Sequence, residues 1–205
     1  MHKLSLAFAI IAATFAANAS AAPIQWTTGA GANGHWYEFV SAPVNWETAK
    51  NNAAASTYLG MTGYLATIIS AEEQNFIFSS VGTGLAWIGG SDEWDATSEN
   101  DEGVWKWVTG PEAGTVFWNR GTTTSYSNWS AGEPNNCCGG EDFLQFAWSG
   151  NGAWNDHGGP GNPGQLNGYL IEYSRNPTVQ VPVPMTVGLI GIGMAGLLAA
   201  RRRKA

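Results

Sequence analysis

Between Glu133 and Asp156 the chain sets out carboxylates and amides in three groups: Glu133-Pro134-Asn135-Asn136, Glu141-Asp142 and Trp154-Asn155-Asp156. A hard cation such as Ca²⁺ takes about six to eight oxygen ligands, and these side chains can supply most of them. Glu133 and Asn135 flank a proline, and a cis Glu133-Pro134 bond would bend the chain enough to turn both side-chain oxygens toward one ion. Glu141 belongs to the same loop. Asn155 and Asp156 follow a separate apolar run, so one ion would tie a long loop to a strand. The carboxylates are also of the kind that glycosidases use in pairs. Bound together to one cation they leave no free acid to protonate a leaving group, which points to a binding site and away from an enzyme.

This spacing resembles the C-type lectin domain of the mannose-type subgroup. The resemblance rests on Glu133-Pro134-Asn135, on Glu141 eight residues after Glu133, and on Trp154-Asn155-Asp156. It extends to Trp87-Ile88-Gly89-Gly90 upstream and to Gly168-Tyr169-Leu170-Ile171-Glu172-Tyr173 downstream, and spans roughly residues 35–173. It implies an α+β fold in which two helices flank small antiparallel sheets beside a long calcium-binding loop region. It also implies that Glu133, Asn135, Glu141, Asn155 and Asp156 hold Ca²⁺ and touch carbohydrate. Two neighbouring sugar hydroxyls would complete the ion's coordination. Each Asn would bind calcium through its amide oxygen and donate from its NH₂, while each Glu would bind with one oxygen and accept a hydroxyl proton with the other. In the family the Glu-Pro-Asn order favours vicinal equatorial hydroxyls, as in mannose or glucose, over galactose. The alternative is a calcium-stabilised structural or protein-binding module of a surface matrix that binds no sugar, because fold alone does not fix function.

A second, structural calcium is implied between Asp92, Glu102 and Asp142. These belong to or face an acidic stretch that also holds Glu93, Asp95, Glu99 and Asp101. A solvated acidic loop is the competing account of that stretch. The two disulfides usual in animal members are absent, since only Cys137 and Cys138 occur, adjacent and inside the calcium loop. An intrachain vicinal disulfide, an intermolecular bridge and free thiols all stay open, and so does zinc held with His157.

Lys3, the apolar run Leu4–Ala17 and the small residues Ala19-Ser20-Ala21 read as a secretory signal peptide over 1–21, followed by a linker over 22–34. The domain is expected over 35–175 and a second linker over 176–180. The last segment, 181–205, holds Val181-Pro182-Val183-Pro184, an apolar run from Met185 to Ala200, and Arg201-Arg202-Arg203-Lys204. It resembles a PEP-CTERM sorting tail of the Val-Pro-x-Pro variant. That implies transient anchoring of an exported protein in the inner membrane, cutting by an exosortase-type enzyme, and release to the cell surface or exopolysaccharide. A permanent single-span anchor is the alternative.

The chain has 9 basic and 16 acidic residues, and without Lys3 and the four tail bases the exported part keeps 4 bases against 16 acids, a balance of −12. Nucleic acid and anionic lipid both need a basic surface, so neither is expected as a partner of the domain.

The elements that must position the site follow from periodicity. His35–Val40 alternates as an opening strand. Asn45 caps a helix that turns Trp46, Ala49 and Ala53 to the sheet. Tyr64–Ile69 is expected as a buried extended run, and Ser70 with Glu73 as a capping box opening a second helix through about Phe78. Trp87-Ile88-Gly89-Gly90 and Trp105–Val108 read as strands, and so does Phe143–Trp148 with Leu144, Phe146 and Trp148 on one face. Trp36, Trp46, Trp87 and Trp107 are expected in the core. The glycine-rich segment 158–168 would lie beside the site.

Overall fold

A computed structural model describes residues 21–82, 84–93, 101–159, 164 and 166–175. The expected signal segment up to residue 20 and the sorting tail therefore fall outside the described residues, as do positions 94–100 of the acidic stretch and 160–163 and 165 of the glycine-rich segment. Among the described residues no helix is long and apolar enough to cross a membrane.

The stretch expected as a linker after the signal segment holds structure. Its strand β1 (Ile24–Gln25) pairs antiparallel with β2 (Trp36–Val44), Ile24 opposite Tyr37. Trp26 is buried and stacks on Phe76 with ring centroids 5.3 Å apart, which is what holds this segment on the core. β2 runs antiparallel to β11 (Leu166–Tyr173), so the two ends of the domain close on each other from Trp36 opposite Tyr173 to Val44 opposite Leu166. β11 then pairs in parallel with β5 (Ala86–Ser91) and antiparallel with β4 (Met61–Leu65), and β4 pairs with the short β3 (Thr57–Tyr58). From β5 the sheet continues through β6 (Val104–Trp107), β7 (Val116–Asn119) and β8 (Thr122–Thr123). A branch runs through β9 (Phe143–Trp148) to β10 (Ala153–His157).

Two apolar cores follow from the period of two along the strands. Ile88 and Leu170 join Trp105, Trp107, Phe117, Phe146 and Trp154 in one. Their neighbours Trp87, Tyr169 and Ile171 join Leu65 and the buried face of α1 (Trp46–Ala55) in the other. Trp46, Ala49 and Ala53 form that face, and the Asn45 side chain accepts from Thr48 N–H at 2.9 Å to cap the helix, as the spacing predicts. Gly89 is required where β5 passes the end of β4, since a Cβ there would stand 2.8 Å from the Leu65 carbonyl oxygen.

Four local expectations change. Trp36 is half-buried at the sheet edge, tilted against Tyr58 at 4.9 Å, rather than in the core. The run Tyr64–Ile69 is strand only to Leu65, and Ile69 is 53% exposed because the chain turns there into the next helix. That helix, α2 (Ala71–Phe76), gives way to a π-helical turn over Ile77–Val81 that tucks Ile77 into the core. Trp148 leaves the face of Leu144 and Phe146 and is 39% exposed. Ala147 adopts φ 64° and takes the buried position itself, so the strand's alternation breaks one residue early.

The capping box forms with a shifted partner. Ser70 Oγ accepts from Glu73 N–H at 3.1 Å, but the Glu73 carboxylate accepts from Ile69 N–H at 2.8 Å rather than from Ser70. Its other oxygen is held by the Tyr37 hydroxyl at 2.5 Å and Asn33 Nδ2 at 3.1 Å. Beside it, Glu172 accepts from Thr67 N–H at 3.1 Å and meets His35 Nδ1 at 2.5 Å. Burial, then the negative charge of Glu172, pushes Glu73 up to about 7. Burial pulls the His35 imidazole down, but its hydrogen bond and ion pair with Glu172 outweigh that, and the nearby carboxylates of Glu73 and Glu112 add to the rise.

Both groups act in one direction on stability. A carboxyl whose native pKa lies above its unfolded value stabilises the fold in its protonated form, so that contribution is lost as pH climbs from about 4.5 through 7. The raised His35 likewise loses its contribution as pH rises through its native value. Denaturant midpoints measured from pH 5 to 8 should fall with pH, and Glu73→Gln, which has no proton to lose, should flatten that slope. Equal slopes for wild type and variant would remove Glu73 as the cause.

Candidate cation and ligand site

The site is carried by β10 and by the loop that β10 holds against it. Trp154 is fully buried and its indole N–H donates to Gln74 Oε1 at 2.8 Å. Its main chain donates to the Asn128 carbonyl at 2.7 Å and accepts from Ser130 N–H at 2.8 Å, which fixes the segment leading to Glu133. The Glu133-Pro134 peptide is cis. Next along β10, the buried Asp156 carboxylate accepts from Asn135 N–H at 3.0 Å and from Asn136 N–H at 2.7 Å. Asn135 Nδ2 donates in turn to Glu133 Oε2. Glu141 is buried, accepts from Cys137 N–H at 3.1 Å, and lies 3.5 Å from His157 Nδ1.

Glu133, Asn135, Glu141 and Asp156 are thus brought into one neighbourhood, and the electrostatics register it. Burial, then the charge of Asp156, raises Glu133 to about 7, with a further push from Glu141. Burial and Asp156 raise Glu141 as well. Asn155 is buried and placed differently from the other four. It stands opposite Gln145 in the β9–β10 register and donates from Nδ2 to Gln145 Oε1 at 2.9 Å and to the Asp156 carbonyl. Its NH₂, expected to face a ligand, is therefore engaged inside the protein.

A second group of acids lies around Asp92. Burial raises Asp92 to about 8, against a hydrogen bond from Gly103 N–H at 2.9 Å, and the charges of Glu102 and Asp142 push the same way. Burial, then Glu93 and Glu102, raises Asp142 to about 6. Asp92 N–H donates to the Asp142 carbonyl at 3.3 Å, and the charges of Glu102 and Glu93 act on this pair. Asp101 is buried beside this group in sequence, and its Oδ2 has no hydrogen-bond partner among the described residues.

Of the possibilities for the two thiols, the structure takes the intrachain one: Cys137 and Cys138 are joined as a vicinal disulfide. In this oxidised form both sulfurs are spent, so neither can join His157 on a zinc ion. His157 instead stacks on Trp87 at 5.6 Å between ring centroids.

The donor set at Glu133, Asn135, Glu141, Asn155 and Asp156 is all oxygen, with three mutually repelling carboxyls, and this chemistry fits a hard divalent cation. Among the described residues no three His, Cys, Asp or Glu side chains stand in a ligating arrangement as they are. Asp156 and Glu141 satisfy themselves with main-chain N–H donors, which is how buried carboxylates lower their energy when each faces another. Sequence spacing did not single out Gln145, Glu93 or the Cys137 N–H. The β9–β10 register would have given the first.

Residues 42–159 match the Lectin C-type domain, and residues 180–204 match the PEP-CTERM protein-sorting motif. The chain is 39% identical over 165 residues to halomucin of Haloquadratum walsbyi, a match covering 74% of this chain and 2% of that protein. It is 31% identical over 136 residues to human C-type lectin domain family 10 member A, covering 58% and 37% respectively. Among solved structures, the EPNH mutant of CEL-I is similar at a TM-score of 0.50 and 25% identity, over 75% of this chain and 97% of that one. The chain thus spans well under half the length of these two curated relatives.

Proposed function

We propose that this chain, which belongs to the C-type lectin family and carries a PEP-CTERM sorting motif, is a calcium-dependent carbohydrate-binding protein of the cell envelope or surface. The family consists of non-enzymatic carbohydrate-binding modules, and the sorting motif indicates export to the envelope. The finer reading is supported most by one observation: Glu133, Glu141 and Asp156 come together with Asn135, where burial and then the charge of Asp156 raise Glu133 and Glu141. Glu133, Asn135, Glu141, Asn155 and Asp156 would hold Ca²⁺, and Asp92, Glu102 and Asp142, with Glu93, a second ion. The ion would supply a positive centre for two hydroxyl oxygens of a sugar. Around it Glu133 accepts a hydroxyl proton while Asn135 donates from its NH₂, an order that suits the vicinal equatorial hydroxyls of mannose- and glucose-type sugars. Domain bounds of 35–175, extended at the start to include Ile24–Trp26, fit this function. The tail would engage the inner membrane and an exosortase-type enzyme.

A second reading is a calcium-stiffened matrix module that binds no sugar. One observation favours it: Asn155 directs its NH₂ to Gln145, so one of the sugar-facing donors is already used. Retention on a mannose column, released by EDTA, tests the two. Retention supports the lectin, and calcium-dependent stability without retention on any glycan supports the matrix module.

A further inference from the structure

The loop from Asn135 to Glu141 is shaped by contacts that converge on Cys137 and its neighbour Asn136. Cys137 N–H donates both to Asn135 Oδ1 at 2.9 Å and to Glu141 Oε2 at 3.1 Å, so it ties the loop's two proposed ligand side chains to each other. Asn136 Oδ1 accepts from Glu141 N–H at 2.8 Å, and the Cys137 carbonyl accepts from Gly140 N–H at 3.1 Å. Four of the five residues from Asn136 to Gly140 have positive φ: 48° at Asn136, 63° at Cys138, 102° at Gly139 and 115° at Gly140. Asn and Cys enter that region at a cost, and glycines reach it only by giving up much freedom. A free chain would rarely assemble this run. The Cys137–Cys138 disulfide closes a small ring across the next peptide, the one that begins at the Cys137 carbonyl, and a ring removes unproductive conformers from the loop before any ligand arrives. Cys138 is exposed, so a small reductant can reach the bond.

We infer that the Cys137–Cys138 disulfide is a redox-controlled brace that positions Asn135 and Glu141 for the cation, so that its reduction weakens binding at this site. This rests on the calcium reading above. Thiol–disulfide exchange with a dithiol breaks the Sγ–Sγ bond and delivers two electrons and two protons. Cys137 and Cys138 are left as thiols, and the reductant becomes its own disulfide. The freed backbone at Cys137 and Cys138 then lets the shared N–H leave Asn135 and Glu141. By linkage, calcium must favour the disulfide over the dithiol by the factor by which the disulfide favours calcium.

The test uses the full chain, with calcium alone as the probe. Calcium titrations of the oxidised protein, of protein reduced with dithiothreitol, and of Cys137→Ser/Cys138→Ser should show about tenfold weaker binding in the last two, the loss expected from freeing one residue's backbone. The equilibrium ratio of oxidised to reduced protein in dithiothreitol buffers of graded ratio, read by thiol alkylation, should rise by the same factor at saturating calcium. Amide hydrogen exchange over 135–141 without calcium should speed up on reduction. Equal calcium affinity in the oxidised and reduced protein overturns the inference while leaving the site intact. An oxidised protein that binds no calcium sinks the site reading instead. In that event the inference falls with the site, and an exchange rate unmoved by reduction shows further that the disulfide does not order the loop.

Discussion

Millimolar calcium should raise the melting temperature of this domain by about 10 °C, and Asp156→Ala should abolish the rise. The region from Glu133 to Asp156 is closed by no long-range disulfide, since the one present joins neighbours. Burial, then the charge of Asp156, raises the proton affinity of Glu133 and Glu141, and a cation would relieve that unfavourable charge. A ligand that binds only the native state stabilises it by about 4 kcal/mol at a concentration about 1,000-fold above its Kd. For a domain of this size each kcal/mol moves the midpoint by about 2–4 °C. Asp156 is the residue to remove because its buried carboxylate joins β10 to the loop through the N–H groups of Asn135 and Asn136. The variant should also melt lower than wild type in EDTA, because those two N–H groups lose their acceptor. Melts by calorimetry in calcium and in EDTA decide it: superimposable wild-type curves would refute the site.

The distribution of what could be read from the sequence follows from what each signal depends on. Asn45, Trp46, Ala49 and Ala53 define α1 through a cap and a helical period, both local, and the helix forms where they place it. The grouping of Glu133, Asn135, Glu141 and Asp156 depends on a spacing that the family fold turns into proximity, and it too was legible. The failures are non-local or depend on one backbone angle. Ala147 takes a left-handed φ and sends Trp148 outward, which no alternation rule anticipates. Trp26 sits in a polar, glycine-rich stretch that looks like a linker, yet its ring finds Phe76 across the fold. Glu73 and Glu172 lie 99 positions apart and become a buried pair only when β11 and α2 meet around Tyr37. Gln145 is one polar residue in an apolar run, and only the register with Asn155 makes it that residue's hydrogen-bond partner.

Exchanging the two side chains across Pro134, with Glu133→Gln and Asn135→Asp together, should weaken mannose-type binding roughly tenfold or more while leaving calcium affinity nearly unchanged. The swap keeps one carboxylate and one amide at these positions, so the ion sees the same charge and the same oxygen count. It keeps the contact between them too. Asn135 Nδ2 donates to Glu133 Oε2 in the wild type, and in the double variant the introduced amide would donate to the introduced carboxylate across the same proline. The N–H groups of residues 135 and 136 that hold Asp156 belong to the main chain and are untouched. What reverses is the pattern offered to a sugar diol: the donor stands where the acceptor stood. A mismatched donor or acceptor in a desolvated contact costs about 1–3 kcal/mol, which is the tenfold or greater loss. Binding should drift toward galactose, whose hydroxyl pair presents the other geometry. The measurement is calcium-dependent binding of wild type and double variant to mannose and galactose on a multivalent surface, where weak single contacts add up. An unchanged preference for mannose in the variant would show that Glu133 and Asn135 do not read the sugar. With calcium still bound, that outcome would favour the matrix module, in which Asn155 is already committed to Gln145 and the ion stiffens a surface that carbohydrate never touches.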